Sequence, residues 1–214
     1  MNKVVIIDYQ LGNLFSVQQA CEYLGYPAVI SSDPADLETA DYAILPGVGA
    51  FGDAMNNLAK FGLTDAIHNY VKSGKPFMGV CLGLQLLLTE SEEFGNTQGL
   101  DIIPGHVKKF PVQKVNEQEL KVPQIQWNTI ATPPHVVWEH TPLACCRPGD
   151  YMYFVHSFYA QLQSNRYVLS TTVYGNKEYC SALLKDNVFA TQFHPEKSGG
   201  YGVNIYKEWF NQFK

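Results

Sequence analysis

The sequence predicts an α/β protein built on a doubly wound, mostly parallel sheet with an additional antiparallel strand region. Over roughly the first hundred residues, short apolar runs alternate with amphipathic segments between glycine or proline punctuation, the pattern of strand–helix units. The apolar runs are short and alternate little, as parallel strands buried on both faces require. After Pro104 the pattern changes: seven of the twelve prolines fall between Pro104 and Pro148, and the apolar segments there read as a strand meander.

Taken in order, Lys3 to Ile7 reads as a buried strand, Leu14 to Leu24 as a helix closed by Gly25, and Pro27 to Ile30 as a second strand. Tyr42 to Leu45 is a strand, Asp53 to Lys60 and Thr64 to Ser73 are helices, Pro76 to Val80 is a strand, and Leu82 to Glu90 is a helix. Beyond Pro104 the strands expected are His106 to Phe110, Tyr151 to Tyr159, Tyr167 to Tyr174, Tyr179 to Lys185 and Val188 to Phe193. Tyr201 to Phe213 is a closing helix whose aromatic residues are spaced to face the sheet. No linker, repeat or charge block divides the chain, so residues 1–214 are expected to form one domain.

Composition narrows the function. With 46% hydrophobic residues in 214, the chain has enough apolar material for a full core. The longest mostly apolar stretch, Pro76 to Leu88, is broken by two glycines and Gln85 and falls short of the roughly 20 residues of a membrane span. The start lacks the pattern of a secretory signal, and the five cysteines show no C-x-x-C spacing, so a cytoplasmic, reducing location is expected. A net charge of −5 without a basic cluster removes the footprint of nucleic-acid binding. Small molecules or proteins are the expected partners, with no membrane.

Gly79-Val80-Cys81-Leu82-Gly83 stands where an apolar strand hands over to an apolar helix. It has the form of a nucleophile elbow with cysteine in place of serine: a sharp turn presents the side chain above the sheet, and the glycines leave room for the crossing backbone. At a helix N-terminus the thiol meets backbone N–H groups that favour thiolate. The plainer reading is a buried cysteine in a tight turn. Phe193-His194-Pro195-Glu196 follows the last expected strand, and residues two apart in an extended segment share a side, so Glu196 can orient His194. A proline-built turn with an incidental histidine is the alternative. Cysteine, base and orienter together have the logic of a catalytic triad.

Gly47-Val48-Gly49-Ala50-Phe51-Gly52 matches the dinucleotide fingerprint G-x-G-x-x-G, but it lies outside the first strand–helix turn and the next strand ends at Cys81 rather than at an acidic residue. Backbone N–H groups for an oxyanion suit it better. His68, His106, His135, His140 and His156 lack ligand spacing, so no metal and no cofactor are assigned. Cys145-Cys146 reads as loop packing rather than redox chemistry. Glu90, Glu92 and Glu93 read as a solvated helix end, with the possibility that a carboxylate there meets a substrate ammonium.

GVCLGLQ (79–85) and FHPE (193–196) together resemble the class I, or triad, glutamine amidotransferases. The resemblance extends over Ile7-Asp8-Tyr9 with Gly12-Asn13, LPGVGAF (45–51), Lys121-Val122-Pro123 with Trp127-Asn128, YFVHS (153–157) and QFHPEKSG (192–199). It implies a flavodoxin-like fold, hydrolysis of L-glutamine to glutamate and ammonia, Cys81 as nucleophile, His194 as base then acid, and Glu196 as orienter. It further implies that Gln85, Glu93, Ser157 and Gly47, Val48 and Gly49 hold the glutamine, with the oxyanion met by N–H groups of Leu82 and, after a peptide rearrangement, of Val48 or Gly49. Within the family the chain resembles the glutaminase subunits that feed a (β/α)8 cyclase barrel in histidine biosynthesis, as a heterodimer. On that likeness Asn13, Trp127, Asn128, Tyr153 and Lys197 lie at the cyclase interface. That branch reads His-Met-Gly where this chain has Gln124-Ile125-Gln126, a loop expected to face the partner. The departure leaves open a paralogous acceptor that modifies a sugar. A cysteine peptidase or DJ-1-like hydrolase shares the elbow, but commonly with histidine after the cysteine where this chain has Leu82, and it leaves Gln85 unexplained.

Overall fold

The computed structural model describes residues 3–115, 118–134 and 136–213; His135 lies outside them. The elements run β1 (Val4–Ile7), α1 (Leu14–Tyr23), β2 (Ala28–Ser31), α2 (Pro34–Thr39), β3 (Tyr42–Gly47), α3 (Phe51–Lys60), α4 (Leu63–Lys72), β4 (Phe77–Cys81) and α5 (Leu82–Leu86). Then come β5 (Leu88–Ser91), β6 (Thr97–Gln98), β7 (Ile103–Lys109), β8 (Lys114–Val115), β9 (Gln118–Glu119) and β10 (Gln124–Thr129). The chain continues with β11 (Tyr151–His156), β12 (Phe158–Leu162), β13 (Val168–Tyr174), β14 (Lys177–Lys185), β15 (Val188–Thr191) and α6 (Gly199–Gln212).

Among the described residues, eleven strands form the main sheet in the order β2-β1-β3-β4-β15-β14-β12-β7-β5-β6, with β13 also on β14. The first five in that order are parallel, and β14, β12 and β7 follow with antiparallel pairing. This is the expected doubly wound sheet with its antiparallel region. Alternate residues of β1 explain why its run is uniformly apolar: Val4 and Ile6 join a core with Trp209, Tyr206 and Phe210 of α6, while Val5 and Ile7 join one with Leu37, Leu58 and Ile67 of α2, α3 and α4. Helices therefore cover both faces.

Three departures from expectation have local causes. The helix over Leu82 to Glu90 stops at Leu86, because the carbonyls of Leu86, Leu87 and Leu88 accept from the backbone N–H groups of Leu100 to Ile103 and the chain turns into β5. Glu90 is thus a strand residue paired with His106, and Glu92 receives Lys108 and the Lys109 N–H, so the run is no helix end. The strand over Tyr151 to Tyr159 breaks at Ser157, with β11 pairing β10 in a separate two-stranded sheet and β12 pairing β7 and β14 in the main one. Gln124-Ile125-Gln126 is not a loop but the start of β10; Ile125 is exposed, whereas Gln124 is fully buried and accepts from the Tyr179 hydroxyl at 2.9 Å. Gln124 faces the core, not a partner.

Candidate active site

The site lies at the carboxyl ends of three neighbouring parallel strands. Gly47 of β3 pairs with Cys81 of β4, and Thr191 of β15 pairs with Val80. Residues leaving these strands therefore converge at one sheet edge, where doubly wound sheets hold their ligands. Cys81 is the last residue of β4, at φ +56°, a left-handed value that a non-glycine residue rarely takes. The turn is this tight because α5 starts on the next residue and runs close under β3: a side chain on Gly83 would strike the Leu45 carbonyl oxygen.

His194 leaves β15 in an extended conformation and Pro195–Lys197 form a short 3-10 turn. That turn, rather than a continued extended segment, brings Glu196 back: Glu196 Oε1 accepts from His194 Nδ1 at 2.7 Å, with both side chains almost wholly buried. The Tyr206 hydroxyl of α6 donates to Glu196 Oε2 at 3.5 Å, and the Ser198 hydroxyl donates to the His194 carbonyl at 2.7 Å. Nε2 of His194 is buried without a hydrogen-bond partner. Burial disfavours the imidazolium, but the neighbouring Cys81 sulfur, when ionised, and the Glu196 carboxylate outweigh it and push the His194 pKa up to about 10. With Cys81 ionised, a proton is thus held on His194 at neutral pH.

A pocket of about 250 Å³ opens over Cys81. Val48, Gly49, Leu82, Gln85, Glu93 and Ser157 line it, as do Pro123, Val155, His156 and Phe158. Gly47 is one residue behind the wall, packed against the Tyr9 hydroxyl and Leu82. Gly49 sits at φ +100°, a conformation open to glycine, and Val48 is exposed. Glu93 accepts the Phe51 N–H at 2.7 Å, which ties the turn after β5 to the start of α3. Gln85 donates to the Phe158 carbonyl at 2.9 Å and to Gln192 Oε1 at 3.0 Å, so its own carbonyl oxygen is the atom left for a ligand.

The motifs did not single out His156 as a site residue. It is buried in the pocket wall, with Nδ1 2.7 Å from the Phe158 carbonyl, and burial lowers its pKa to about 4. Gln192 and Phe158 were also missed as contacts; the adjacency of Gln192 to FHPE was the available signal. Among the described residues no group of side chains could hold a metal ion, and no helix is long and apolar enough to cross a membrane.

Beside the pocket, β10 and β11 set Trp127 opposite Tyr153, ring centroids 6.1 Å apart, and Lys197 Nζ lies 6.0 Å from the Tyr153 ring. Trp127, Ile125 and Tyr151 are exposed. Asn128 is half-buried and donates to the Val173 carbonyl at 2.9 Å, and Asn13 precedes α1, its Oδ1 accepting from Ser16.

The family model of glutamine amidotransferase class-I matches residues 5–212. The imidazole glycerol phosphate synthase subunit HisH of Geobacter sulfurreducens is 45% identical, over 98% of this chain and 98% of its own. The subunit of the same name from Syntrophotalea carbinolica is 48% identical, over 96% of this chain and 98% of its own. A solved structure of PurLQS from Thermotoga maritima shares the fold at a TM-score of 0.73 and 18% identity, covering 100% of this chain and 99% of that one. With its cysteine elbow and its histidine–glutamate pair on adjoining strand ends, the chain belongs to the class I glutamine amidotransferases, in the branch of the imidazole glycerol phosphate synthase subunits HisH.

Proposed function

We propose that residues 1–214 act as one glutaminase unit, the subunit of imidazole glycerol phosphate synthase that hydrolyses L-glutamine and passes ammonia to a cyclase. The observation that carries this is Cys81 interacting electrostatically with a buried, carboxylate-held imidazole, beside a pocket walled by Gln85 and Glu93. The Cys81 sulfur attacks the side-chain carbonyl carbon of glutamine; the C–N bond breaks, and His194 gives its proton to the departing ammonia. The γ-glutamyl thioester then takes up water, whose proton passes to His194 as the C–S bond breaks and glutamate leaves. Gln85 Oε1 and Glu93 offer acceptors to the substrate ammonium, Ser157 completes the wall, and the N–H of Leu82 faces the developing oxyanion. A second donor comes from the Val48–Gly49 peptide after it turns, with Gly47 as its packed base.

Ammonia released into neutral water is mostly protonated and no longer a nucleophile, so it must be handed over directly. The proposed receiver is a (β/α)8 cyclase forming a heterodimer over the pocket, in the cytoplasm, with Trp127, Tyr153, Lys197, Asn128 and Asn13 at or beside the contact. The exposed apolar strip on β10 and β11 supports that position. The buried orientation of Gln124 takes it out of the departure that left a sugar-modifying acceptor open.

Cys81→Ala in the complete synthase should abolish glutamine-dependent turnover and spare turnover with added ammonia. Complementation of a histidine auxotroph lacking this subunit, with the chain's own cyclase supplied, should restore growth. Unchanged glutamine use in Cys81→Ala would end the glutaminase reading, and failed complementation the assignment of the acceptor.

A further inference from the structure

We propose that Gln192 is a further catalytic residue, donating its amide N–H to the Cys81 sulfur, and that Gln85 is the positioning residue that holds the Gln192 amide in the orientation needed. The proposal rests on Cys81 being the nucleophile.

Gln192 is fully buried, on the exit of β15 two residues before His194. Its backbone N–H is fixed on the Ser181 carbonyl at 2.9 Å. Its Nε2 lies 3.7 Å from Cys81 Sγ, within reach of an N–H···S bond, and its Oε1 receives Gln85 Nε2 at 3.0 Å.

The orientation of both amides follows from one backbone group. A carbonyl oxygen only accepts, so the Gln85 atom 2.9 Å from the Phe158 carbonyl must be nitrogen. That same nitrogen meets Gln192, whose facing atom must then be its oxygen. The other end of the Gln192 amide, turned to the sulfur, is therefore NH₂. The relay reads from Phe158 through Gln85 and Gln192 to Cys81, each group donating to or accepting from the next in one direction only.

The sulfur has a second neighbour of opposite preference. Val155 presents a carbonyl oxygen 3.9 Å from Sγ, which bonds only to a protonated thiol. An amide N–H bonds best to the anion. Gln192 thus favours thiolate before attack and again during deacylation, when the C–S bond breaks and its electron pair returns to sulfur. A thioester sulfur is a weak acceptor, so the contact strengthens as that charge reappears, which is where it helps turnover.

The test is alkylation of Cys81 by iodoacetamide in the full-length chain, followed by mass spectrometry, beside glutamine turnover in the complete synthase. Gln192→Met keeps the length and removes the donor; it should slow alkylation at neutral pH about tenfold or more, and lower kcat similarly at unchanged KM. Gln192→Glu keeps the bond from Gln85 and the size, and replaces the donor by an acceptor. Its rate relative to the wild type should be low at neutral pH and recover as the pH falls and the carboxyl becomes a donor, a change that a purely structural role would not produce. Alkylation of a folded Gln192→Met within twofold of the wild type would overturn the proposal. If that variant does not fold, a Gln192→Glu protein with neither neutral slowing nor acid recovery overturns it. Absence of glutamine hydrolysis in the wild-type synthase overturns the nucleophile assignment itself, which the alkylation rates read separately.

Discussion

At the residue scale, two buried histidines respond to pH in opposite directions. His194, raised to about 10 against an ordinary value near 6.5, binds its proton more tightly folded than unfolded. Its contribution to stability is complete below about pH 6.5 and is lost as the pH rises through about 10. His156, lowered to about 4, stays neutral where the unfolded chain would be protonated. Its contribution is present above about pH 6.5 and is lost as the pH falls toward about 4, by at most roughly 3 kcal/mol. His156→Gln should therefore flatten the acid limb of denaturant midpoints measured from pH 4 to 7, leaving the alkaline limb in place. Glu196→Gln removes the carboxylate that holds His194. The His194 titration, followed by NMR of its ring protons, should move down from about 10, with kcat reduced by about a hundredfold or more. An unmoved titration would show that Cys81 alone sets it.

At the scale of elements, the elbow depends on how closely α5 passes β3. Gly83→Ala places a methyl group against the Leu45 carbonyl, so β3 or α5 must shift, at a cost of about 1–3 kcal/mol. A lowered urea midpoint together with slower Cys81 alkylation is the expected result; a loss of stability alone would separate the packing from the elbow. The same element shows where sequence reading works and where it stops. β1, β3 and β4 were legible because both faces of each strand are buried, leaving uninterrupted apolar runs, and the elbow was legible because few residues tolerate its geometry. The run LGLQLLL gave no such guidance, since all of Leu82 to Leu88 is buried whether helix or strand. Its division into α5 and β5 is decided by carbonyls that pair with Leu100 to Ile103, contacts no local pattern reveals. α2 was readable in principle: Asp33 accepts from the Ala35 N–H, and Pro34 follows it at the first helical position. The inward turn of Gln124 was not, because alternation along β10 is set by pairing with β11, and half of that strand is exposed.

At the scale of the whole molecule, the exposed Trp127 on β10 stands one strand away from Tyr153, whose carbonyl receives the His194 N–H at 3.0 Å. A protein seated on Trp127 therefore presses on a strand pair that is bonded to the backbone of His194. Trp127→Ala should weaken binding to the cyclase by about tenfold or more and leave iodoacetamide alkylation of Cys81 in the free chain unchanged; titration calorimetry and mass spectrometry measure the two. The order of strands has a consequence for synthesis. β15 occupies the middle of the sheet, between β4 and β14, yet it follows every other described strand of that sheet in the chain, and α6, which comes after it, supplies the Tyr206 hydroxyl behind Glu196. A nascent chain that has emerged only through β14 holds Cys81 without the His194 imidazole and with a gap where the central strand belongs. Competence therefore depends on β15 and the turn after it, so a ribosome that stalls before residue 188 releases a product unable to squander glutamine.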